Sequence, residues 1–123
     1  MVKVLAVNDD AIVLASCRRI LEAAAYAVDT ASSVMEALAA LVREPYALVL
    51  ADLKMPGYDG LRMISLLQRS RPALPVIAMS GYPTGETETE SLRRGARAFV
   101  AKPFTPEELL AAVRGAIRPA EGG

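Results

Sequence analysis

Five short apolar segments, each followed by a stretch with helical spacing, restrict this 123-residue chain to very few architectures. The segments are KVLAV (3–7), AVDTA (27–31), ALVLAD (47–52), PVIAMS (75–80) and AFVAK (98–102). Three are near-continuous Val, Ile, Leu and Ala, as strands covered on both faces must be. AVDTA alternates and is expected at a sheet edge. Between the segments lie helical periods. Val13, Leu14, Cys17, Ile20 and Leu21 form one apolar stripe, and Val34, Leu38, Leu41 and Val42 form another behind the candidate caps Ser32 and Ser33. A third follows Gly60 with Leu61, Ile64, Leu67 and possible support from Leu66. TGETETESLRRGA is the weakest helix, polar throughout, but its early acids and late arginines suit the helix dipole. TPEELLAAVRGAI carries Thr105 as N-cap, Pro106 at the first helical position and Glu108 where a capping box needs an acid. Strand and helix thus alternate five times, which predicts one α/β domain: a parallel sheet with helices on both faces. The domain is expected to occupy residues 1–118, with 119–123 as a short frayed tail.

Composition removes several function classes. Lys plus Arg and Asp plus Glu are both 14, so no basic excess supports direct nucleic-acid binding. The single cysteine, Cys17, cannot form an intramolecular disulfide, and its place on an apolar stripe makes it core. No apolar run approaches the roughly 20 residues of a membrane span. The opening MVKVLAVNDD lacks signal-peptide layout. A cytoplasmic protein without membrane partners is expected. Histidine is absent, which excludes His-based triads and phosphohistidine on this chain.

Ligands in an open α/β sheet bind beyond the carboxyl ends of the strands. Strand one ends in Asn8, Asp9 and Asp10, strand three in Asp52, strand four in Ser80 and strand five in Lys102-Pro103. If these strands are neighbours, one crevice collects them all. Asp9 and Asp52, with the amide of Asn8, are hard oxygen ligands suited to Mg²⁺ or Mn²⁺. Asp52 is also a nucleophile able to accept a phosphoryl group as an acyl phosphate. Lys102 and the metal would neutralise phosphoryl oxygens, and Ser80 can donate a hydrogen bond to one. Each residue also has a plain structural reading. Asp9 and Asp10 can cap a helix, Asp52 can open a loop, Ser80-Gly81 can be a turn, and Lys102 can be a solvated charge. Asp59-Gly60 reads as turn chemistry and a cap, and Met55 and Met79 as packing.

The motifs VNDD, ADLKMPGYDG, VIAMSG and GARAFVAKPF, in this order, resemble the receiver domain of two-component response regulators over roughly residues 3 to 117. The resemblance implies a flavodoxin-like sheet of order 2-1-3-4-5. It implies Mg²⁺-dependent phosphorylation of Asp52 by a sensor histidine kinase or phosphotransfer protein. Asp9 and the Lys54 backbone carbonyl would be direct metal ligands. A cis Lys102–Pro103 bond aiming the amine is implied too. So is a switch in which Ser80 and Lys102 move inward, Phe99 follows, and the α4-β5-α5 face changes for an output protein. Lys54 and Tyr82 occupy the positions that tune hydrolysis, and their bulk predicts a long-lived phosphoryl state.

One departure stands out. Asn8 occupies the place of the acid that usually holds the metal through water. An amide there removes one negative charge, so metal affinity is expected to drop; a local bulge bringing Asp10 into the pocket is the alternative. RRGARAF lacks the acids that winged-helix members carry before strand five, so their symmetric dimer is unsupported. Arg93, Arg94 and Arg97 are candidate partner contacts beside the plain reading of a solvated face. The chain is expected to be a stand-alone receiver or one cut from a longer protein. Two other functions compete: a degenerate receiver that binds partners without phosphorylation, and an Asp-nucleophile phosphatase. The phosphatase wants an acid where Lys54 stands. A flavin carrier would need a Ser/Thr/Gly-rich loop where NDDAIV lies.

Overall fold

The computed structural model describes residues 1–55, 58–81 and 85–117. Its strands β1 (Lys3–Val7), β2 (Ala27–Ala31), β3 (Leu48–Asp52), β4 (Val76–Ser80) and β5 (Ala98–Ala101) form one sheet. They alternate with helices α1 (Ala11–Ala23), α2 (Val34–Arg43), α3 (Gly60–Ser70), α4 (Gly85–Arg93) and α5 (Pro106–Ile117). Every pairing in the sheet is parallel and the spatial order is β2-β1-β3-β4-β5, the flavodoxin-like arrangement expected. The alternating segment AVDTA is the β2 edge, and β1, β3 and β4 lie inside with almost no exposed side chain. A parallel sheet buried on both faces needs apolar residues at every position, which is why these strands read as continuous runs.

Two apolar clusters cover the two faces. One joins Leu5, Val49 and Val76 to α2 and α3. The other joins Val4, Leu50 and Ile77 to α1 and α5. Cys17 lies in the second cluster, where burial pushes its thiol up to about 11. Met55 and Met79 are core as expected.

The helix caps follow the sequence signals. Ser33 Oγ accepts from Glu36 N, and Thr105 and Glu108 exchange both bonds of a capping box. Two expected core positions are wrong. Val42 is 79% exposed and Leu66 45% exposed. Val42 follows the buried Leu41 and Leu66 precedes the buried Leu67, and the 100° step per residue rotates each outward. The faces actually buried use Ala37 and Ala40 in α2 and Met63 in α3. Small alanines were not counted as a stripe, yet Ala37 and Ala40 carry the buried face of α2. One element was not anticipated: Lys54–Met55 pairs antiparallel with Tyr58–Asp59 in a two-residue ladder. It is too short to leave a hydrophobic period. The tail at 119–123 and Tyr82 lie outside the described residues.

Candidate functional site

The switch point of the sheet falls where β1 lies between β2 and β3, and the residues just past the strand tips meet there. Val7 pairs with Ala51, so Asn8 and Asp52 are the next residues along adjacent strands. Asp52 is 2% exposed. A carboxylate so deeply buried must be paired or it would lose its charge. Its Oδ2 lies 2.5 Å from Lys102 Nζ, and its Oδ1 accepts from Lys54 N at 2.9 Å.

Lys102 reaches Asp52 from two strands away. It follows β5, whose Ala101 pairs with Ser80 of β4, while Met79 of β4 pairs with Asp52. Adjacent strands lie about 4.8 Å apart, a span that only a long side chain crosses twice. The stem passes over Gly81, where a Cβ would sit 3.8 Å from Lys102 Cε. Lys102 N donates to Ser80 O at 2.8 Å, continuing the ladder past the strand ends, and the Lys102–Pro103 peptide is cis. Ser80 is fully buried at the tip of β4.

The residues after β1 divide in role. Asn8 is 2% exposed, its N–H donates to Ala31 O, and its Oδ1 accepts from Asp10 N at 2.9 Å. Asp9 is exposed at the mouth. Asp10 is exposed and its Oδ1 accepts from Ile12 N, so it takes the capping role rather than entering the pocket. Lys54 is exposed while its backbone N–H is committed to Asp52. Among the described residues no group of three His, Cys, Asp or Glu could hold a metal unaided. A cation here would draw on Asp9, Asp52, backbone oxygen and water.

Gly60 is a supporting residue that sequence reasoning reduced to turn chemistry. Asp59 does cap α3, accepting from Leu61 N. But a Cβ on Gly60 would lie 2.4 Å from Leu53 Cα and 2.5 Å from its carbonyl oxygen. The first turn of α3 therefore rides on the backbone that links Asp52 to Lys54. Nothing in a single sequence separates such a contact from an ordinary Asp-Gly turn.

Phe99 is half-buried and packs against the α2–α3 cluster, its backbone paired with Ala78. The three arginines differ. Arg93 and Arg94 both pair with Glu90, at 3.8 and 3.5 Å, and Arg97 Nη1 donates to Ala116 O, but the Arg93 side chain is 76% exposed. A groove of about 590 Å³, lined by Ile12, Val13, Ile20, Pro103 and Phe104, opens beside Lys102.

Comparison with known proteins agrees with this geometry. The model of the response regulator receiver domain matches residues 4–114. Response regulator MprA of Mycobacterium leprae is 38% identical over 117 residues, covering 94% of this chain and 51% of that protein. The chain spans about half the length of that curated relative. A CheY-like receiver domain from Methanospirillum hungatei superposes with a TM-score of 0.88 at 32% identity, covering 95% of this chain and 94% of the other. A response regulator from Burkholderia pseudomallei, solved with a phosphorylated aspartic acid, a calcium ion and citrate, gives 0.84 at 27%, over 97% and 68%. No helix among the described residues is long and apolar enough to cross a membrane. Response regulators interact with histidine kinases and output domains, and receivers act as switches rather than as conventional enzymes. With fold, strand-tip residues and relatives in agreement, this chain belongs to the response regulator receiver domain family, the phosphorylation-dependent switches of two-component systems.

Proposed function

We propose that this receiver domain, residues 1–118, accepts a phosphoryl group on Asp52 from the phosphohistidine of a sensor histidine kinase or phosphotransfer protein. The observation that carries the reading is the buried Asp52 carboxylate held 2.5 Å from Lys102 Nζ at the mouth of the sheet. A carboxylate oxygen attacks phosphorus, an O–P bond forms, the donor's N–P bond breaks and the imidazole leaves with its electron pair. Lys54 N–H steadies one Asp52 oxygen during attack. The Lys102 ammonium neutralises charge on the phosphoryl oxygens, and the Ser80 hydroxyl donates to one of them.

The donor set fits a hard divalent cation: the carboxylates of Asp9 and Asp52 and the Lys54 backbone carbonyl, with Asn8 joining through water. Bound there, Mg²⁺ or Mn²⁺ would offset charge on the transferring group. The Burkholderia pseudomallei relative, with its phosphorylated aspartate and calcium ion, supports this choice.

Drawing Ser80 and Lys102 toward the new oxygens shifts the tips of β4 and β5. Phe99 and the α4-β5-α5 face follow, with Arg93 an exposed arginine there for an output partner. Lys54, exposed two residues beyond Asp52, shields the phosphoryl group from water. The cell interior is the setting such a donor requires.

Incubation with acetyl phosphate and Mg²⁺ followed by intact mass tests the assignment. One phosphoryl group per chain is expected, and none on Asp52→Asn. Labelling of that variant would remove Asp52 from the role. No labelling of the native chain would assign it instead to phosphorylation-independent binding.

A further inference from the structure

We infer that Asn8 presents a side-chain N–H to an anionic oxygen in the Asp52 pocket, so that phosphoryl binding depends less on a divalent cation than an acid at residue 8 would allow. The inference rests on the reading of Asp52 as phosphoacceptor and concerns how that same site is controlled.

The orientation of the Asn8 amide is fixed by the backbone. Asp10 N donates to Oδ1 at 2.9 Å, and turning the amide over would set two donors against each other. Nδ2 is therefore the branch left over. It is buried and has no hydrogen-bond partner among the described residues. Buried donors without partners are rare, because the group gives up water and gains nothing. Asn8 and Asp52 follow the paired residues Val7 and Ala51 on adjacent strands, so the residue that carries this donor is the cross-strand neighbour of the buried Asp52.

Charge points the same way. The buried Asp52 carboxylate is already paired with the Lys102 ammonium, and Asp9 adds an exposed carboxylate two residues past the end of β1. A carboxylate at residue 8 would still accept from Asp10 N, but would add one negative charge and remove the donor. An incoming oxyanion would then meet more repulsion, and a cation would have to offset it. The amide lowers the attraction for free Mg²⁺ and supplies a hydrogen bond to the anion.

Beryllofluoride, a phosphoryl analogue, and Mg²⁺ alone are the probes, each titrated by NMR into the native chain, Asn8→Asp and Asn8→Ala. Mg²⁺ alone should bind Asn8→Asp at least threefold tighter than the native chain. Withdrawing Mg²⁺ should weaken beryllofluoride binding at least tenfold more in Asn8→Asp than in the native chain. Without metal, Asn8→Ala should bind beryllofluoride at least threefold more weakly than the native chain. Equal metal dependence in the native chain and Asn8→Asp overturns the inference. So does undiminished metal-free binding in Asn8→Ala, which would mean Nδ2 serves only a buried water. Asn8→Asp keeps the acceptor for Asp10 N, so the metal comparison stands even if Asn8→Ala does not fold. Either failure leaves Asp52 labelling by acetyl phosphate intact. Absence of beryllofluoride binding under all conditions overturns both readings together.

Discussion

The two ends of the sheet both carry lysine–carboxylate pairs, but in different surroundings. At the amino end, Lys3 Nζ lies 3.2 Å from Asp29 and also bonds Glu44, with side chains roughly a third to a half exposed. Tyr46 Oη donates to Asp29 at 2.6 Å and holds that carboxyl below its usual range. At the carboxyl end, the Asp52 side chain is 3% exposed and that of Lys102 20%. Water screens the first cluster and makes each of its bonds replaceable. At the second, little water remains to substitute for a lost partner, so removing one charge strands the other. The same residue types therefore form a solvent-screened cluster at one end and a buried, charge-sensitive pair at the other.

The largest effect expected from breaking this contrast is at Lys102. Lys102→Ala leaves the Asp52 carboxylate buried without its cation and should lower stability by about 2 kcal/mol, below the full loss seen for wholly buried pairs because Lys102 is partly exposed. Urea unfolding in EDTA measures it. Added Mg²⁺ should restore more stability to this variant than to the native chain, and equal gains would argue against a cation site beside Asp52. Next is Gly60→Ala, where a methyl group must displace the Leu53 backbone. A loss of about 1–3 kcal/mol is expected, together with a shifted Lys54 amide resonance. Gly115→Ala, whose Cβ meets nothing within 4 Å, serves as the control. Smallest is Tyr46→Phe at the opposite end, expected to cost about 1 kcal/mol or less and to leave Asp52 labelling unchanged. A comparable loss at Tyr46 and Lys102 would erase the distinction between the two ends.

Much of the site was legible because strand ends are legible. A buried strand announces itself by an unbroken apolar run, so the first polar residue after it, Asn8, Asp52 or Lys102, is marked as lying at a tip. Which tips converge depends on strand order, which local pattern does not encode and which the family resemblance supplied. The misplaced Val42 and Leu66 show a second limit. Both are apolar at helix-compatible spacing, and only the direction from which the sheet approaches decides that alanines, not valine, face inward. The commitment of Asp10 to Ile12 N is a third, since two consecutive acids offer the same chemistry until backbone angles assign one to the cap.

By itself, the sequence determined the alternation of strands and helices, the capped helix starts and the identity of the chemical groups, since these follow from period, cap chemistry and residue type within a few neighbours. Only the tertiary structure decided that Lys102 crosses two strands to Asp52, that Gly60 must lack a side chain, and that one branch of the Asn8 amide is buried without a partner among the described residues. Those outcomes depend on contacts between residues tens of positions apart, fixed by how the layers pack.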